Sequence, residues 1–309
     1  MNHQQLQNST GRQQRCLKNK VSKDSRNKHI LLFLLIMKVA LLPLSANAQE
    51  PEQIAGAYLE KLELIIDYRN RFEAVHPFVS HLYPVAIAED GFFYVFDLTD
   101  DGSSFALKLW EPTPMEVPVG TRAAFTLDFF QNKCAAVVTG DVFDEAAGYI
   151  TIFHEFIHCH QWHTVEPELR SELPLAARMQ EGQNFMWEIN YEFPYDDRRF
   201  VALYTDFITA LDQGQDEKVM TLRKELFAIL SAYDRQYMVW QEWKEGYALY
   251  IENLLRKEAG LPVNTVGRKT PFNRTVFYAG GEALIAHLVS QKPELNTDLR
   301  ALFEFIYSH

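Results

Sequence analysis

The alternation of apolar and polar positions divides the chain into blocks of different texture. Within residues 51–79, Ile54, Tyr58, Leu62, Ile65 and Ile66 recur at helical spacing and predict an amphipathic helix. Between about 90 and 142 the period shortens to β-rich runs at 92–98, 104–110, 123–130 and 134–139. Asp100-Asp101-Gly102, a proline-rich stretch at 112–118 and Gln131-Asn132 separate these runs, so a small, mostly antiparallel sheet is expected. From Asp144 onward the pattern is helical, over 145–163, 174–190, 197–213, a long element near 216–259, 275–291 and 296–307. Gly214, Gly260-Leu261-Pro262 and Gly280-Gly281 punctuate that block. A sheet followed by helices in separate blocks reads as an α+β fold.

The first 48 residues do not belong to this pattern. Basic residues from Arg12 to Lys28 precede an apolar run at 30–44, which ends in Ala46-Asn47-Ala48 before Gln49. Basic, apolar and small-residue regions in that order predict a secretory signal peptide cleaved after Ala48, and hence a secreted or periplasmic protein. The run is shorter than the ~20 residues of a span and holds Lys38, so no stable membrane span is expected after cleavage. Residues 49–309 are then a single domain, with a helix and small sheet in 49–143 and a helical part in 144–309.

Charge narrows the function. The whole chain carries −11, but residues 1–48 hold eight basic residues and one acid, which leaves 22 basic and 40 acidic residues in 49–309. A body with that net charge of −18 repels phosphate backbones, and nucleic acid is excluded as a main partner. Of the three cysteines Cys16 falls in the signal, leaving Cys134 and Cys159, too few for a disulfide scaffold.

One segment carries chemistry, His154-Glu155-Phe156-Ile157-His158, an H-E-x-x-H in a helical pattern. Residues four apart lie one turn apart on the same helix face, so both imidazoles can address one Zn²⁺. Glu155 is offset around the helix, placed to reach water beside such an ion. Cys159, rotated about 100° from His158, is no ligand, and His160 and His163 lie off the metal face as surface or supporting residues. A catalytic zinc takes a third protein ligand. Glu245, Ala248 and Glu252 share a face at i, i+3 and i+7, and Gly246 and Ala248 would let that face approach the His154/His158 helix closely. Glu181, in Met179-Gln180-Glu181-Gly182, is the alternative third ligand. Glu252 is a candidate acceptor for a ligand histidine's second nitrogen, its alternative being an exposed surface acid. Tyr250, Tyr278 and His287 are candidate donors to a developing oxyanion, Tyr278 because it precedes a bend expected at Gly280-Gly281. The acidic-aromatic tract at 187–197 reads as a capped loop between helices, with Asp196 or Asp197 as the N-cap, in preference to a cleft wall.

The pair H-E-F-I-H-x-x-Q at 154–161 and K-E-G-x-A-x-Y-x-E at 244–252 resembles the gluzincin metallopeptidases, the thermolysin-like and aminopeptidase N-like zincins. The resemblance covers two helices and their flanks. It implies a zincin-like fold, one zinc on His154, His158 and Glu245, and hydrolysis of a peptide or protein substrate by a zinc-activated water with Glu155 as general base. It also implies that the strand at 134–139 is an edge that pairs with extended substrate. The chain departs from the common pattern in having 86 residues between His158 and Glu245, an insertion expected over or beside the cleft. The rival readings are an exported protein that keeps zinc without catalysis, and an acidic helical binding protein with an accidental motif. Substrate identity, endo- or exo-cleavage and oligomeric state are not written in the sequence.

Overall fold

A computed structural model describes residues 51–309; the signal-peptide expectation for 1–48 lies outside them. Helix α1 runs Pro51–Phe72 and buries Ile54, Tyr58, Leu62 and Ile65 as its spacing requires. It stops short of the expected 79 because Pro77 disfavours helical geometry in the residue before it. His76 instead caps a short 3₁₀ turn, Pro77–Ser80, its Nδ1 accepting from the Phe78 N–H at 3.2 Å.

The sheet has five strands, β1 Val85–Glu89, β2 Phe92–Leu98, β3 Phe105–Pro112, β4 Arg122–Leu127 and β5 Lys133–Thr139, in the order β3-β2-β1-β5-β4. β1 pairs antiparallel with β2 through Asp90-Gly91, both at positive φ (49° and 81°), the geometry of a tight hairpin turn. Three of the four strand pairings are antiparallel, in keeping with the mostly antiparallel sheet the sequence suggested, and β1 and β5 pair in parallel, so the sheet is mixed. β1 escaped the sequence pattern because Val85, Ala86, Ile87 and Ala88 are all buried. A strand covered on both faces shows no alternation to read.

The rest is helical: α2 Ala146–Thr164, α3 Glu166–Glu172, α4 Pro174–Glu181, α5 Trp187–Asn190, α6 Arg198–Asp212, α7 Asp216–Ile229, α8 Ala232–Glu258, α9 Val276–Gln291 and α10 Leu299–Ser308. The architecture is α+β with a small mixed sheet and a mostly helical remainder. The long element expected near 216–259 is two helices, broken where Ser231 caps α8 by accepting from the Asp234 N–H. The element at 174–190 is likewise two, α4 and α5. Gly280-Gly281 make no break in α9. A Cβ on Gly246 would lie 2.5 Å from the Gly281 Cα, so this glycine pair sets the α8–α9 approach. Gly246 therefore serves α9, not the His154/His158 helix as its spacing suggested. One buried apolar cluster, from Ile54 to Ile306, joins α1, one face of the sheet and the helices. Among the described residues no helix is long and apolar enough to cross a membrane.

Candidate metal centre

α2 is buried almost throughout, from Tyr149 to Gln161, and packs against β4, β5 and α8. His154 and His158 project from the same face with their Nε2 atoms 3.2 Å apart. Across from them on α8, Glu245 Oε2 lies 3.3 Å from His158 Nε2 and 3.9 Å from His154 Nε2. A triangle with those sides has a circumradius of about 2.0 Å, the length of a zinc–imidazole or zinc–carboxylate bond.

The other ring nitrogens are both spoken for. His154 Nδ1 lies 2.9 Å from Glu252 Oε2, and His158 Nδ1 lies 2.9 Å from Gln161 Oε1. An acceptor at Nδ1 makes that nitrogen the N–H donor and leaves the lone pair on Nε2. Two lone pairs and a carboxylate oxygen then converge in a buried pocket, where they repel unless a cation lies among them. The acids around His154 also favour positive charge at this point, whether a proton on the ring or a metal ion supplies it. Burial opposes protonation of His154, but hydrogen bonds to Glu245 and Glu252 outweigh it and hold the ring's pKa up at about 10. Burial would raise the Glu245 carboxyl, yet the His158 and His154 rings pull it well below the usual carboxylate range. Glu252, pushed up by burial, is drawn down to about 2 by His154, Arg256 and Asn264. The residues present fit a divalent ion of borderline character, with N, N and O donors and each histidine oriented by a hydrogen-bonded partner.

Glu155 is buried in the wall of the same cleft, which holds about 900 Å³ and also exposes His154, His158, Glu245 and Tyr278. Burial raises its carboxyl against the pull of the two histidines. β4 borders the cleft with residues 122–126, and opposite it stand Phe185, Met186, Glu188 and Ile189. The sheet edge beside the site is thus β4; the strand at 134–139, expected as that edge, is interior, between β1 and β4. The tract at 187–197 plays both of its readings. Asp197 caps α6, accepting from the Arg199 and Phe200 N–H groups, while Glu188 and Ile189 line the cleft, the reading the sequence ranks second.

Other expected residues divide. Glu181 is exposed at the end of α4, away from both histidines, while Glu245 joins them. Tyr278 lies beside Glu245, with the Arg274 guanidinium 5.3 Å over its ring. Tyr250 is not among the cleft-lining residues; it rests tilted against Tyr247. His287 lies on the far side of α9, 3.4 Å from Asp216. His160, expected off the metal face, is buried rather than at the surface, its Nδ1 3.0 Å from the Tyr83 hydroxyl and its ring against Phe78. His163 is exposed and stacks on Tyr83.

Two residues escaped sequence reasoning. Gln161 orients His158 and donates to the Trp243 and Lys244 carbonyls, bridging α2 to the turn before Glu245. Its position three residues after His158 was the available signal. Arg274 donates to Glu245 Oε1 at 3.4 Å from the segment leading into α9, where no sequence pattern marks it. The helices between α2 and α8 are fastened along the N-terminal half of α8. Tyr191 donates to Asp234, Gln241 to the Glu188 carbonyl, Tyr204 and Arg223 to Glu242, and Lys244 to Glu166 and Glu188.

Compared with protein-family models, with curated proteins and with solved structures, the chain finds no match in any of the three.

Proposed function

We propose that the protein is a zinc-dependent peptidase of zincin type, acting on peptide or protein substrates in a secreted or periplasmic setting. The observation that carries this reading is the placement of His154, His158 and Glu245 around one point in a cleft, with Glu155 beside them and a free strand edge along one side. Zinc, when bound, supplies Lewis acidity toward a carbonyl oxygen and toward water.

The chain's own residues do the rest. Glu155 takes a proton from the attacking water and returns it to the leaving amine. The Tyr278 hydroxyl donates to the oxygen on which negative charge develops, and Arg274 holds Glu245 and Tyr278 in register. β4 receives an extended backbone. The Thr139 N–H donates to the Thr121 carbonyl, so in the β4–β5 register positions 121, 123 and 125 bond inward. Alternation then turns the N–H and C=O of Arg122, Ala124 and Thr126 outward, free to pair with a substrate strand.

The test is Glu155→Gln on the zinc-loaded protein against a peptide library. Turnover should fall by about 10²–10⁴-fold while one zinc per chain remains. Full activity in that variant, or a wild type that takes up no zinc, defeats the reading and returns the chain to a helical binding protein.

A further inference from the structure

Cys134 and Cys159 lie directly behind the metal face. Cys134 is the second residue of β5 and Cys159 follows His158 on α2, and both are buried, at 2% and 0% exposure. Their sulfurs are 2.8 Å apart, inside van der Waals contact for two sulfur atoms and about 0.8 Å short of a covalent bond. They are the two free cysteines among the described residues, and each is the other's only thiol neighbour among them. The surroundings otherwise give them nothing to do: neither belongs to the His154, His158 and Glu245 group.

We propose that Cys134 and Cys159 form a disulfide that staples the His154/His158 helix to the sheet. The inference rests on the sulfur geometry and stands or falls apart from any hydrolase activity. Two thiols become one S–S bond, releasing two electrons and two protons. An oxidised thiol–disulfide donor, a protein or small-molecule disulfide, takes both pairs and leaves as two thiols. Because the native sulfurs are sealed, exchange takes place as the chain folds, before α2 closes over β5. The bond then fixes the rotation of α2 about its own axis relative to β4 and β5. That rotation sets how far His154 and His158 stand from the strand edge that borders the cleft. A bridge between residues 25 apart also removes conformations from the unfolded chain and raises its melting temperature.

The test refolds the full chain in equimolar reduced and oxidised glutathione, denatures it in N-ethylmaleimide, and maps peptides without reductant. The expected result is a cross-linked peptide pair containing Cys134 and Cys159, two hydrogens lighter than the sum of its parts. Maleimide or glutathione on both cysteines overturns the proposal. The Cys134→Ala/Cys159→Ala double variant gives a second readout that does not depend on mapping. Its Tm should fall by about 5–10 °C relative to the oxidised wild type and match that of wild type refolded in reductant. Equal Tm for oxidised and reduced wild type also overturns it.

Discussion

Glu252 shows how much a single side chain does at this centre. It accepts from His154 Nδ1, Arg256 Nε and Asn264 Nδ2, so its position is fixed from three directions and it fixes the histidine in turn. Glu252→Gln should weaken zinc binding about 10–100-fold, as measured by competition with a chelating indicator. Unchanged affinity would show that His154 needs no such partner. His160 makes a different prediction. Burial, followed by the nearby His81, His76 and His163, lowers its pKa to about 4, below the 6.5 of an exposed imidazole. A depressed histidine pKa means that protons prefer the unfolded chain. Its contribution is therefore complete above about pH 6.5 and is lost as pH falls toward 4. Denaturant unfolding at pH 7.5 and 5 should show His160→Asn losing about 1–2 kcal/mol less than wild type over that interval, allowing for partial solvent screening. Parallel losses would contradict it. At this scale the two histidines were legible because their spacing is their chemistry, and Glu245 because its local motif fits better than that of Glu181. The bond from Gln161 to His158 had a local signal in its spacing, but its bonds to α8 and the role of Arg274 did not, since they depend on which helix lies opposite.

At the scale of the element, α8 is the part on which the site depends. It presents Glu245 and Glu252 to α2 and receives the helices between α2 and α8 along the turns just before. The buried Arg223–Glu242 pair, 2.7 Å apart and joined by the Tyr204 hydroxyl, ties α6 and α7 to it. Removing one partner of such a pair leaves an uncompensated buried charge. Arg223→Ala should cost about 3–5 kcal/mol in urea unfolding, and a loss under 1 kcal/mol would show that the pair is dispensable. The helices were readable from periodicity, and α2, α6 and α9 match their expected spans closely. The breaks inside 174–190 and 216–259 were not readable, because flanking helical spacing runs on past Gly182 and Ser231. β1 was missed for the opposite reason, an excess of apolar residues with no alternation.

At the scale of the whole molecule, the five-stranded sheet ends at β4 and the cleft begins there. Ala124→Pro removes one outward-facing N–H without touching the β4–β5 ladder, a change an edge strand tolerates. KM for a peptide substrate should rise about tenfold with zinc content unchanged, the loss of roughly one hydrogen bond. An unaltered KM would mean that substrate does not pair with this edge. The α+β class was visible in the separation of sheet and helix blocks. The choice of β4 over β5 as the edge was not, since strand order depends on long-range pairing.

The distance along the chain between the ligands has a consequence in time. His154 and His158 are presented as soon as one helix forms, but Glu245, beyond 86 intervening residues, joins them only when α8 docks against α2. Until then an ion meets two imidazoles and little else. On the proposed reading, high-affinity uptake of zinc therefore signals that the long-range docking of α8 on α2 is complete. A zinc-responsive dye followed during refolding would then record that docking, not the formation of α2.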